Sequence, residues 1–180
     1  MQIPTVASVD EFVRWEEQQD ERYEFAEGAV SLLPAALRRH EVIVVNLVSA
    51  LRVALGAGHV SGSGLKLRTA QSIRYPDVLV GFDPRDHLDA PQLRYPTLVI
   101  EVLSESTSAI DRGAKADEYR TIETLREYVM IDSRKRWAQT IRRSGENWIV
   151  SLPITAGALR FESVELDMSF DEIYAGAEHR

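Results

Sequence analysis

Leu98-Val99-Ile100-Glu101-Val102-Leu103 decides how the chain is read, because it is an apolar, partly β-branched run interrupted by a single carboxylate. Continuous apolar runs of this length are strands buried on both faces, unlike the strict alternation of a strand with one wet face. With Pro96 and Thr97 in front, the run predicts a central strand over Pro96 to Leu103. A lone charge in such a strand is expensive unless it is paired or bound to a metal. Glu101 therefore needs a partner, either a metal ion or a cationic side chain such as Lys115, Arg74 or Arg112.

The 180 residues fit one domain, residues 1–180, and 44% hydrophobic with 27% charged residues is the balance of a soluble globular protein. Cysteine is absent, which excludes disulfides and thiolate zinc sites, and the four scattered histidines form no H-x-x-x-H pair. Any bound metal is expected to have oxygen ligands. Met1-Gln2-Ile3-Pro4 lacks the features of a signal peptide and no apolar run is long enough to cross a bilayer, so no membrane partner is expected and the cytoplasm is the expected compartment. A formal net charge of −7 argues against a broad electrostatic grip on nucleic acid.

Working outward from the central strand, Ser8-Val9-Asp10-Glu11 has capping-box spacing and predicts a short helix to about Gln19. Glu27-Gly28 marks the turn of a hairpin between Tyr23-Phe25 and Ala29-Leu33. Leu37, Val44, Leu47, Val48, Leu51 and Leu55 predict a core helix over Ala35 to Leu55, stopped by Gly56. Strands follow at Leu65–Arg68 and Ile73–Phe82, with an exposed loop over 83–95. After the central strand come a helix over Asp111 to Ile122, with Ser108 as a cap, and strands at Glu127–Asp132, Trp137–Arg142, Asn147–Leu152 and Leu159–Val164. Phe170–Ala175 closes the chain as a short helix.

Tyr75-Pro76-Asp77-Val78-Leu79-Val80 places an acid within the strand before the central one, so neighbouring strands would bring Asp77 and Glu101 together. Two anions in a partly desolvated site repel strongly unless a cation lies between them. Mg²⁺ suits that position, since it takes oxygen ligands and keeps waters for substrate. Asp77 is equally readable as a strand-end acid capping backbone N–H groups.

Pro76-Asp77 followed by Glu101-Val102-Leu103 resembles the PD-(D/E)XK signature of restriction-endonuclease-like nucleases. More closely, Arg22-Tyr23-Glu24, Gly28, His40, Pro76-Asp77, Glu101-Val102-Leu103-Ser104, Ser106-Thr107, Asp111, Lys115, Tyr119, Glu127-Tyr128 and Asp132 resemble the Uma-type endonuclease family, long described as a domain of unknown function. The resemblance implies an α/β fold of restriction-endonuclease-like architecture, with a central mixed β-sheet flanked by helices. It also implies metal-dependent hydrolysis of DNA phosphodiester bonds, with Mg²⁺ or Mn²⁺ as cofactor and a homodimer as the form that cuts both strands. Asp77, Glu101 and the Val102 carbonyl would bind the metal and Glu24 would complete the acidic cluster. Lys115 would orient water or stabilise the phosphorane charge, with Tyr119 and His40 in support. The chain departs from the pattern at Leu103, where the signature has lysine, and Lys115 on the following helix is the implied replacement. Val129 and Ala29 are smaller departures from the Uma-type pattern.

Other patterns carry less. Asp111 and Lys115 alone read as a solvated i,i+4 pair on a charged helix. Ser104 to Ser108 lacks a nucleophile elbow, and the glycines at 56–64 lack the Gly-Lys-Ser/Thr of a phosphate loop. Arg134-Lys135-Arg136 and Arg142-Arg143 are basic stretches suited either to phosphate contact or to solubility. A non-catalytic interaction or regulatory module on the same scaffold is the alternative function, with Glu101 paired internally.

Overall fold

The computed structural model describes residues 5–105 and 110–178. Its strands are β1 (Tyr23–Ala26), β2 (Ala29–Leu32), β3 (Val60–Gly62), β4 (Lys66–Arg68), β5 (Ile73–Arg74), β6 (Val78–Gly81), β7 (Gln92–Leu93), β8 (Pro96–Leu103), β9 (Glu127–Asp132), β10 (Ala138–Ser144), β11 (Asn147–Val150), β12 (Ala158–Phe161) and β13 (Leu166–Ser169). The helices are α1 (Val9–Glu16), α2 (Arg38–Leu55), α3 (Ala116–Tyr119) and α4 (Phe170–Ile173), with a π-helical turn over Asp111–Lys115 leading directly into α3. The fold is mixed α/β. One sheet runs β11-β10-β9-β8-β6-β3, a second runs β2-β1-β5-β4-β7, and β12 and β13 form a separate hairpin.

β8 is central, antiparallel to β6 and parallel to β9. Its alternate side chains serve two cores, as the apolar run requires. Leu98, Ile100 and Val102 face Ile43, Val44, Leu47 and Leu51 of α2, with Phe170 and Ile173 of α4 in the same cluster. Val99 and Leu103 face Ala116, Tyr119, Leu125, Tyr128 and Met130. A third cluster joins α1 to the five-stranded sheet, where the Phe12 and Phe25 rings stack at 5.4 Å.

Several elements differ from the sequence expectation. The predicted strand Ile73–Phe82 is two strands in different sheets, β5 and β6, and the chain crosses between the sheets at Tyr75-Pro76-Asp77. Pro76 has no N–H to give a ladder, so a continuous strand is interrupted there. The predicted helix Asp111–Ile122 is the π-helical turn and one turn of α3, and the expected Ser108 cap lies outside the described residues. α2 starts at Arg38, leaving Leu37 exposed rather than in the core. In α1 the Ser8 hydroxyl accepts from the Glu11 N–H at 3.2 Å, but the Glu11 carboxylate reaches the Ala7 N–H instead of closing the capping box, and the helix ends at Glu16. The loop over 83–95 contains β7, and β13 continues a hairpin that the sequence pattern did not reveal.

The crossing at Tyr75-Pro76-Asp77 positions the site. It brings β1 of one sheet beside the β6 and β8 ends of the other. Carboxylates from both sheets consequently meet at one junction.

Candidate active site

In the β6–β8 register Val78 lies opposite Ile100 and Leu79 opposite Val99. Asp77, the bend residue before β6, therefore lies beside the Glu101 end of β8. The Asp77 Oδ2 accepts from the Val102 N–H at 2.7 Å and from His40 Nε2 at 3.1 Å. The backbone-capping role weighed for Asp77 is thus present at one of its oxygens. His40 sits in the first turn of α2 and ties that helix to the acid.

Glu101 is 4% exposed. Its Oε1 accepts from Lys115 Nζ at 3.0 Å and from the Tyr119 hydroxyl at 2.9 Å. Lys115 and Tyr119 are brought to the same carboxylate by the π-helical turn and α3. The other cations weighed as partners are engaged elsewhere: Arg74 pairs with Glu24 and Glu118, and Arg112 lies over the Trp137 ring at 4.0 Å. Among the described residues, the hydrogen bonds to this pair of acids go to Asp77 Oδ2 and Glu101 Oε1, leaving Asp77 Oδ1 and Glu101 Oε2.

Glu24 comes from β1. Its Oε1 accepts from the Tyr75 N–H at 3.0 Å and lies 3.5 Å from Lys115 Nζ, and its Oε2 pairs with Arg74 at 3.1 Å. Asp111, 1% exposed, places Oδ1 3.1 Å from the same ammonium. Lys115 is thus one ammonium among Glu101, Asp111 and Glu24. Sequence reading gave Asp111 no role at the site and took the Asp111–Lys115 spacing as a solvated pair; in the structure both members are buried.

The excess of carboxylates governs the electrostatics. Burial, followed by the opposing pull of Lys115 and the repulsion of Asp111, Asp77 and Glu24, leaves the Glu101 carboxyl pushed up to about 8. Burial would likewise raise Glu24, but Lys115, the Tyr75 N–H and Arg74 outweigh it and hold Glu24 below its ordinary value. Lys115 is raised: burial disfavours its charge, yet Glu101, Glu24 and Asp111 more than compensate. His40 is also raised, because its bond to Asp77 and the nearby Glu41 overcome the cost of burial.

These groups open onto a cleft of about 910 Å³ lined by Glu24, His40, Tyr75, Asp77, Glu101, Val102 and Lys115. Tyr119, fully buried, lies behind Glu101 and outside the lining. Among the described residues no three His, Asp or Glu side chains close around a metal position by themselves. That does not conflict with a hard divalent ion, which commonly takes one or two carboxylates and completes its shell with carbonyl, water and phosphate oxygens. The donor chemistry fits: two carboxylates lining one cleft each keep an oxygen without a hydrogen bond among the described residues, and acids outnumber cations in the lining. The Leu103 carbonyl accepts from the Ser133 N–H on the β9 side, so Val102, the preceding strand residue, directs its own N–H and carbonyl toward the Asp77 side.

The arginines of the basic stretches are engaged within the molecule. Arg142 pairs with Glu127 and Glu162, and Arg136 with Asp171 and Glu178. Arg143 donates to the Leu125 and Ile122 carbonyls and lies over Trp148. Of the serine-rich stretch, Ser104 and Glu105 line the cleft, whereas residues 106–109 lie outside the described residues.

The comparisons with known proteins agree with this architecture. Two uncharacterized proteins of Synechocystis sp. are similar over nearly their whole length: slr1290 is 32% identical over 94% of this chain and 92% of its own, and sll1609 is 29% identical over 93% and 96%. A crystal structure from Anabaena variabilis, titled a putative nuclease belonging to DUF820, superposes with a TM-score of 0.78 over 96% of this chain and 100% of its own. At 16% identity that likeness shows the fold alone. Residues 9–167 match the family model described as "Putative restriction endonuclease". The chain belongs to that family, Uma2.

Proposed function

We propose that this chain is a Mg²⁺-dependent endodeoxyribonuclease, with Mn²⁺ able to replace Mg²⁺. The observation that carries the proposal is the convergence of Asp77 and Glu101 on the lining of one cleft, with a single ammonium among several carboxylates. Asp77, Glu101 and the Val102 carbonyl would hold the cation, and Glu24 completes the acidic set while seating Lys115. A bound divalent cation supplies Lewis-acid charge, which makes water a competent nucleophile and offsets negative charge on the phosphate. The chain's own groups do the positioning. Val102 N–H and His40 fix the Asp77 carboxylate, while the Tyr119 hydroxyl fixes that of Glu101. Lys115, its pKa raised, stays protonated and acts by stabilising charge on the phosphoryl oxygens, not by abstracting a proton. In the hydrolysis a water oxygen bonds to phosphorus as that water gives up a proton to solvent, the bond from phosphorus to one sugar oxygen breaks, and solvent protonates the leaving oxygen.

Purified protein should nick supercoiled plasmid in Mg²⁺ or Mn²⁺. Asp77→Ala and Glu101→Ala should abolish nicking while circular dichroism shows a retained fold. The alternative, a non-catalytic interaction module, is favoured by one observation: Lys115 and Tyr119 already satisfy Glu101 Oε1. It predicts no nicking with any divalent ion and no stabilisation by one.

A further inference from the structure

Asp111 is a buried acid for which the proposed chemistry has no use. The residue is 1% exposed, yet among the described residues Oδ1 makes no hydrogen bond although it lies 3.1 Å from the Lys115 ammonium. The ammonium's aligned bond goes to Glu101 at 3.0 Å. Asp111 is therefore a desolvated acceptor beside a cation that is turned toward another acid. A buried acceptor that is ion-paired but lacks an aligned donor calls for an explanation. The turn that carries it is firmly placed: the Tyr128 hydroxyl donates to the Asp111 carbonyl at 3.0 Å, tying the π-helical turn to β9. Single π-helical turns within helices are themselves frequent at functional sites.

We propose that Asp111 is a positioning residue that receives the Lys115 ammonium when the Glu101 carboxylate is committed to a divalent cation. This rests on the metal reading above. Without Asp111, Lys115 keeps its aligned bond to Glu101 and competes with the incoming ion. With Asp111, the ammonium has a second seat within reach and remains in the cleft, where charge on a bound phosphate would need it. Glu24, at 3.5 Å, steadies the ammonium in both positions.

The test is calorimetric titration of the full chain with Mn²⁺ in the absence of DNA. Asp111→Asn should weaken Mn²⁺ binding about tenfold, as loss of an outer partner to a metal ligand commonly does. In a Lys115→Met background, where no ammonium competes, the same substitution should change affinity less than about twofold. Asp111→Ala provides a second variant and should show the same dependence on background, with circular dichroism confirming the fold of each. Equal losses in both backgrounds would mean that Asp111 acts only through its charge, and would overturn the proposal while leaving the metal site standing. Absence of Mn²⁺ binding by the unaltered chain would remove the metal site, and the role of Asp111 with it.

Discussion

Burial and the neighbouring acids outweigh Lys115 and push the Glu101 carboxyl up to about 8, so a cation that engages it competes with a proton. A carboxyl whose folded pKa exceeds its unfolded value adds stability that is complete below the ordinary value of 4.5 and is lost as pH rises through about 8. Thermal stability in chelator should accordingly fall between those limits, and Glu101→Gln should flatten much of the slope. His40, also raised, contributes in the same direction and accounts for a residual slope above its ordinary value of 6.5. Divalent-ion binding requires the carboxylate, so at pH 7 it should release close to one proton, read as a dependence of the calorimetric heat on buffer ionisation enthalpy. No release would show that the ion does not engage Glu101. Tyr119→Phe removes a hydroxyl that donates to the carboxylate and should cost about 1.5–3 kcal/mol in urea unfolding at a pH where Glu101 is ionised.

The elements that carry these residues were legible to different degrees, and the reasons are local. β8 was readable because burial on both faces leaves an apolar run with no alternation. The β1–β2 turn was readable because Glu27 and Gly28 have φ of 52° and 77°, a left-handed pair that favours glycine at the second position. The split between β5 and β6 was hidden because hydrophobic patterning continues through Pro76, and only pairing partners distinguish the sheets. Asp111 was hidden because an acid and a lysine at helical spacing look the same whether solvated or buried. Two glycines make the element argument testable. Gly28→Ala keeps an unfavourable φ and should destabilise by about 1 kcal/mol. Gly113, within the π-helical turn, has a φ outside the left-handed region and open space where a Cβ would stand. Gly113→Ala should therefore stabilise by about 0.4–1 kcal/mol, with Mn²⁺ affinity unchanged. A loss of stability there would show that the turn does not tolerate a side chain.

Across the whole molecule, charge is arranged against a broad nucleic-acid footprint. The net charge is −7, and the arginines of the basic stretches are committed to internal acids, carbonyls and rings. The cleft itself carries Arg22 and Lys115 among Asp20, Glu21, Glu41 and Glu105 as well as the site acids. Each phosphate neutralised by a lysine or arginine contributes about −0.9 to the slope of log K against log salt on duplex DNA. If DNA is held through the cleft cations, a cleavage-deficient Glu101→Gln variant should bind a short duplex with a slope no steeper than about −2 to −3. Anisotropy titrations over a range of KCl concentrations, at fixed pH without divalent ion, measure it. Lys115→Met should make the slope shallower by about one unit. Arg38 and Arg39, in the first turn of α2 beside His40, are cations without an ion-pair partner among the described residues. A slope near −6 would require phosphates to run over such residues outside the cleft, and charge removal at Arg38 and Arg39 would then reduce it. A shallow slope that Lys115→Met lowers would instead locate the electrostatic grip at the same ammonium that compensates Glu101.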